Sequence, residues 1–250
     1  SIVVKAFAGL PLPSVLASPA LARAAAGALE TVSLTTAKGQ KVSAALAMPA
    51  ASPAPTVLLV HEWWGLNDQI KVMAAEFARE GYVALAIDLY KGGVAKTPDE
   101  ARALMGAVEA GEAVDTATSW ARWLQAHSAS SGRIGTVGWC FGGGWSLTTS
   151  LNHPVDSNVV YYARVYGRPA ELAALNGPVL GHYATQDKWI NQDMVGKFEA
   201  AMQAAGKPFT SHWYEADHAF ANPTGARYDE ADAKLAWQRT LAFYAEHLKG

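Results

Sequence analysis

The chain has 250 residues, half of them apolar, with 17 % charged residues and a formal net charge of −2. Such a length buries an extensive core without disulfides or metals. The absence of any basic block excludes nucleic acid as a partner, and no apolar run reaches the roughly 18 residues of a membrane span. A single cysteine, Cys140, rules out an intramolecular disulfide, so the redox compartment is not readable from cysteine count.

In chain order, the first segment is SIVVKAFAGLPLPSVLASPALARAAAG. It is apolar, rich in Pro and Ala, and carries small residues at alternating positions in ALARAAA. It resembles the apolar core and cleavage region of a secretory signal, though without a basic leader. The expectation is an exported protein, periplasmic or secreted, if residues 1–26 are a signal remnant. The alternative is a cytoplasmic protein in which residues 1–30 form an arm lying on the domain. Residues 31–250 then make one domain.

TVSLTTA and VSAALAM read as two short strands joined at KGQK, a hairpin. APTVLLVHE is a continuous β-branched run, as a buried central strand requires. NDQIKVMAAEFAREGY places Ile70, Met73, Ala74 and Phe77 at helical spacing, with Asn67 or Asp68 as cap and Gly81 as stop. VALAIDLY is a second buried strand. Residues 98–127 read as one or two helices with a break near EAGEA. RIGTVGW is a third strand leading into the helix start GGGWSLTTSLN. SNVVYYARVYG, GPVLGHYA and PFTSHWYEA are further strands. INQDMVGKFEAAMQAAG and RYDEADAKLAWQRTLAFYAEHL are helices. Alternating strands and helices imply βαβ units. The predicted class is α/β, with a mostly parallel central sheet of about eight strands flanked by helices on both faces. Active groups then lie at the carboxyl ends of strands, where the sequence puts His61, Glu62, Asp88, Cys140, Asp187, Asp217 and His218.

GWCFG, residues 138–142, has the form Gly-x-nucleophile-x-Gly between a strand and a helix. That sharp turn projects a nucleophile above the sheet, and glycines on either side avoid collisions with the crossing backbone. The turn also sets Cys140 at a helix N-terminus, which favours negative charge. The amide of Phe141 would serve as one oxyanion donor. A nucleophile needs a base, and the base an orienter. The order nucleophile, acid, histidine of α/β-hydrolases is met by Cys140, Asp187 in YATQDKWI and His218 in YEADHAFAN. Glu62, closing the strand in LLVHEWWGLN, sits where the second oxyanion donor of this fold originates, with the Trp63 amide as candidate. A carboxylate there would hold the proton on Cys140 until substrate displaces it. Trp64 reads as pocket wall. No histidine pair has zinc-motif spacing, so no metal and no cofactor is expected.

Together HEWWGLN, GYVALAIDLY, GWCFGGG, YATQDKWI and YEADHAF resemble the dienelactone hydrolase family over residues 31–248. The resemblance implies an α/β-hydrolase fold. It also implies hydrolysis of enol lactones such as carboxymethylenebutenolide in aromatic-ring degradation. Cys140 is then the nucleophile, His218 the general base and acid, Asp187 its orienter, and Glu62 the thiol-gating glutamate. The sequence departs from the family where its best-known members carry a carboxylate-gripping arginine, because Asn222 stands there. Arg102, beyond DLY, is a candidate for a second substrate arginine, with Trp64 and Tyr90 as further substrate contacts and Arg164 and Arg168 as alternative anion holders. An amide cannot grip a carboxylate as a guanidinium does, so a neutral or bulkier ester is the alternative substrate. The rival functions are a glutamine amidotransferase, which would lack an acid placed like Asp187, and a non-catalytic binding protein of the same fold. The expected partner is a small-molecule lactone or ester, on a monomer or small homo-oligomer.

Overall fold

Two short helices precede the first strand in the computed structural model, which describes residues 12–250. These are α1 (Leu12–Ala17) and α2 (Pro19–Gly27), and Ser18 caps the second by accepting from the Leu21 N–H. Val15, Leu16, Ala22 and Ala25 are buried in a small cluster with Val72. The segment with signal-like composition is thus helical from Leu12 onward and packs on the first half of the molecule. The eight strands are ordered β1-β2-β4-β3-β5-β6-β7-β8. The chain divides into two compact units, Ser1–Ile134 and Gly135–Gly250, and the division falls inside β5.

In the first unit, β1 (Glu30–Thr35) and β2 (Lys41–Ala47) form the expected hairpin, with Glu30 opposite Leu46 and Thr35 opposite Lys41. Asp115 pins the turn, accepting from Thr36 Oγ1, from the Lys38 N–H at 3.2 Å and from Gln40 Nε2 at 2.8 Å. β2 runs antiparallel to β4 (Val83–Ile87), which pairs in parallel with β3 (Ala54–Val60). Val57, Leu58, Leu59 and Val60 have no exposed surface. Each such side chain contributes roughly 1.5–3 kcal/mol by leaving water, which is why an unbroken β-branched run becomes a central strand. Helix α3 (Asp68–Arg79) buries Ile70, Met73, Ala74 and Phe77, and Asn67 is its cap, accepting from the Ile70 N–H. The helical region that follows is two helices, α4 (Pro98–Gly106) and α5 (Ala110–Gln125). They break where the Glu109 carboxylate turns to accept from the Gly111 and Glu112 N–H groups.

In the second unit, β5 (Ser130–Trp139) continues into parallel pairing with β6 (Ser157–Tyr161), then β7 (Val179–Ala184) and β8 (Phe209–Tyr214). Helices α6 (Phe141–Asn152), α7 (Pro169–Leu172), α8 (Gln192–Ala204) and α9 (Glu230–Leu248) complete it. One core gathers Leu147 of α6, Val160 of β6, Leu172 of α7, Tyr183 of β7 and Phe198 and Met202 of α8. Helix α9 is tied to β5 by Tyr244, whose hydroxyl donates to the Thr136 carbonyl at 2.6 Å. Strand β6 is shorter than its apolar text predicts, because the backbone leaves the extended region at Tyr162, where φ is 36°. Among the described residues no helix is long and apolar enough to cross a membrane.

Candidate active site

The second unit holds a chain of three side chains drawn from the loops after β5, β7 and β8. Trp139 ends β5 and Phe141 begins α6, so Cys140 sits between them at φ 55°, ψ −122°. Non-glycine residues adopt positive φ at a cost of order 1–3 kcal/mol, and such strain collects at functional turns. Here the surroundings hold it: the Cys140 N–H donates to the Tyr161 carbonyl at 2.9 Å, and its own carbonyl accepts from Gly143 at 2.9 Å. Two of the glycines around it are sterically required. A Cβ on Gly138 would lie 1.9 Å from the Gly142 carbonyl oxygen, and one on Gly143 would lie 2.4 Å from the Ala163 Cβ. Gly144 is different, since a Cβ there would meet only an ordinary contact at 3.6 Å.

Asp187 follows β7. Its Oδ1 accepts from the Trp189 N–H at 2.8 Å and the Ile190 N–H at 3.0 Å, which leaves Oδ2 to accept from His218 Nδ1–H at 2.6 Å. His218 follows β8, and its Nε2 is hydrogen-bonded to Cys140 Sγ at 3.1 Å. The imidazole is bracketed by aromatic rings, Tyr162 and Trp189, each with its centroid 5.2 Å away. Burial works against the charged imidazolium, but the hydrogen bonds and charges of Asp187 and Cys140 outweigh it and push His218 up to about 10. Burial also opposes the Asp187 carboxylate, yet the His218 bond and the two backbone N–H groups hold it below the usual carboxylate range. The expected nucleophile, base and acid are therefore in mutual hydrogen-bond contact. Phe141, as the first residue of α6, has its amide at that helix's N-terminus.

The other anticipated residues are distributed differently. In the first unit, Glu62 is buried just past β3, and its carbonyl accepts from the Gly65 N–H. His61 is fully buried and structural: it donates from Nδ1 to the Glu62 carbonyl and accepts at Nε2 from the Leu89 N–H, joining the ends of β3 and β4. Trp63 and Trp64 stack edge to face at 5.3 Å, and the exposed Arg102 lies over the Trp63 ring at 6.0 Å while pairing with Asp99. Tyr90 is buried against His61. Asp88 is a turn acid, accepting from the Tyr90 and Gly92 N–H groups. In the second unit, Arg168 is exposed and forked onto Glu171, and Arg164 is exposed. Asn222 is buried, with Oδ1 accepting from the N–H and hydroxyl of Thr224. Three neighbours of the site escaped sequence reasoning: Tyr162, Trp189 and Arg227, the last with its guanidinium 5.5 Å over the Trp189 ring. Only Trp189 had a signal, two residues past Asp187, where a backbone N–H reaches back to a turn acid. Among the described residues no group of three or more His, Cys, Asp and Glu could hold a metal ion.

A strand-to-helix turn carrying a thiol, with an acid and a histidine from the ends of two later strands, β7 and β8, defines an α/β-hydrolase. The model of the dienelactone hydrolase family matches residues 42–248. The chain therefore belongs to the dienelactone hydrolase family, whose enzyme class is carboxylic ester hydrolysis. It is 29 % identical over 228 residues to a Salmonella typhi protein provisionally named a carboxymethylenebutenolidase, covering 84 % of both chains. It is 28 % identical over 234 residues to a Bradyrhizobium protein provisionally named a 2-oxo-3-(5-oxofuran-2-ylidene)propanoate lactonase, covering 85 % of this chain and 92 % of that one. The crystal structure of a Klebsiella pneumoniae protein provisionally named a dienelactone hydrolase superposes with a TM-score of 0.77 at 28 % identity, covering 87 % of this chain and 99 % of that one.

Proposed function

We propose that this enzyme is a cysteine-dependent hydrolase of a lactone or small carboxylic ester, working through a thioester on Cys140. The observation that carries the reading is the continuous bond chain from Asp187 through His218 to Cys140 Sγ, at 2.6 and 3.1 Å. With the proton of the pair on His218, the sulfur attacks the ester carbonyl as thiolate, and the Phe141 amide stabilises the oxyanion. The imidazolium then gives its proton to the departing oxygen as the C–O bond breaks. Acylation consumes the charge on sulfur, and with it two of the influences that raise His218. The imidazole becomes a competent base at that moment. It takes a proton from water, hydroxide character adds to the thioester, and cleavage of the C–S bond returns the starting pair. Asp187 keeps the ring in the tautomer and orientation that both half-reactions need.

The names of the curated relatives favour a lactone substrate. Cys140→Ala tests the reading directly: turnover of small aryl esters and enol lactones falls at least about a thousandfold, while thermal unfolding is unchanged. Turnover of the variant within a few-fold of the parent would overturn it. The family resemblance of the sequence alone further suggests Glu62 as a thiol-gating acid and the Trp63 amide as a second oxyanion donor. Glu62→Gln then changes the pH dependence of Cys140 alkylation, and an unchanged profile removes Glu62 from the mechanism.

A further inference from the structure

We infer that Arg227, held on the Trp189 indole beside the triad, is the residue that selects substrates bearing a carboxylate. This rests on the cysteine-hydrolase reading above and adds the anchor that Asn222 does not provide. Asn222 offers a carboxamide whose oxygen is already bonded twice within its own turn, to the Thr224 N–H and hydroxyl. A carboxylate needs donors in a planar fork, which guanidinium has and carboxamide lacks.

Three observations point to Arg227. Its guanidinium carbon lies 5.5 Å over the Trp189 ring, and that ring lies 5.2 Å from the His218 imidazole, so one indole links the cation to the catalytic base. Trp189 is held in place at its backbone, because its main-chain N–H donates to the Asp187 carboxylate, while the residue remains 52 % exposed. An exposed indole fixed at its backbone is a platform, and a guanidinium stacked on it loses much of its freedom before any ligand arrives. Finally, Arg227 is exposed and makes no ion pair among the described residues. Of the other arginines in this unit, Arg168 is forked onto Glu171, Arg239 donates to the Tyr214 hydroxyl at 3.1 Å, and the exposed Arg164 stacks on no aromatic ring among the described residues. A charged fork exposed to solvent, stationed by stacking on the ring that touches the His218 imidazole, suits the free carboxylate of an anionic ester or lactone.

The test uses Cys140 itself, which as the sole thiol reports cleanly by mass. The alkylation rates of the full-length enzyme with iodoacetate and iodoacetamide are compared at low salt. The two reagents differ in charge but deliver a similar group to sulfur, so their rate ratio reads anion recruitment apart from sulfur reactivity. Arg227→Gln lowers the iodoacetate-to-iodoacetamide ratio about three- to fivefold, the size expected of one exposed charge, and added salt erases the difference. Trp189→Ala lowers the ratio similarly, whereas Trp189→Phe keeps most of it. Lys188→Gln, an equal charge change on the exposed neighbour of Trp189, moves the ratio by less than half as much. An unchanged ratio in Arg227→Gln, or an equal fall in Lys188→Gln, overturns the assignment while leaving the hydrolase reading intact. Failure of both reagents to modify Cys140 would overturn that reading and this inference together.

Discussion

The second unit buries two imidazoles and gives them opposite characters. His182, in β7, has no exposed surface; its Nδ1 meets the Tyr214 hydroxyl at 2.9 Å and its Nε2 the Thr240 hydroxyl at 3.0 Å. Burial first, then the nearby His212 and Arg239 charges, drive it well below the ordinary histidine range, so it is neutral. His218 is also buried, yet it is pushed up to about 10 because its partners are a carboxylate and a thiol. Burial alone therefore does not set the charge of a histidine. The charge of the partners does, and one fold can hold one imidazole neutral and another charged.

Swapping the partner is the strongest way to break the comparison. Asp187→Asn removes the charge that His218 faces while keeping a similar shape. Turnover of an aryl ester falls roughly 10²–10⁴-fold, the usual worth of a positioned acid–base pair, and an NMR titration finds His218 lower than in the parent. A His218 signal still titrating near 10 in that variant would mean the carboxylate is not what charges it.

A smaller effect comes from the other imidazole. His182→Gln leaves the Tyr214 and Thr240 hydroxyls short of a partner, and urea unfolding records a loss of about 1–3 kcal/mol. Turnover stays within about threefold, because the His182 side chain bonds to hydroxyls and not to the triad. A large fall in turnover with stability unchanged would give His182 a role in the chemistry.

The smallest effect is in pH. His182 is lowered in the folded state from the ordinary histidine value of 6.5, so below that pH the unfolded chain takes up a proton that the folded chain resists. Its contribution is intact above pH 6.5 and declines as pH falls. Asp187, lowered in the folded state, adds a further loss as pH drops through the carboxylate range. His218, raised in the folded state, contributes in the opposite sense just below pH 7, so the effect is read against the variant: from pH 7 to pH 4 the urea midpoint of the parent falls relative to that of His182→Gln.

How much of this was legible depends on whether the signal was local. Gly138 and Cys140 carry it in their spacing, because a turn that tight excludes side chains next to the nucleophile. Asp187 and His218 were readable from their order and from lying just past strands. The hairpin at KGQK and a cap at Asn67 or Asp68 were readable for the same kind of reason. What was not readable depended on contacts between distant segments. GPVLGHYA reads as an apolar strand and says nothing of the burial, or of the nearby His212 and Arg239 charges, that hold His182 neutral. The end of β6 is hidden because Tyr162 is as strand-like by type as Tyr161, and only the turn at φ 36° separates them. Arg227 meets Trp189 only through the fold, so a search for arginines near the family motifs passes over it.

The account stands or falls on a covalent bond to Cys140. The most direct measurement is to mix the enzyme with a slowly deacylating aryl ester, quench in acid within the first turnovers, and map the adduct by peptide mass. The account predicts one acyl group on the peptide containing Cys140, absent from Cys140→Ala and persisting longer in Asp187→Asn. Full parental turnover with no mass added to that peptide, or an acyl group fixed on a different residue, would contradict it.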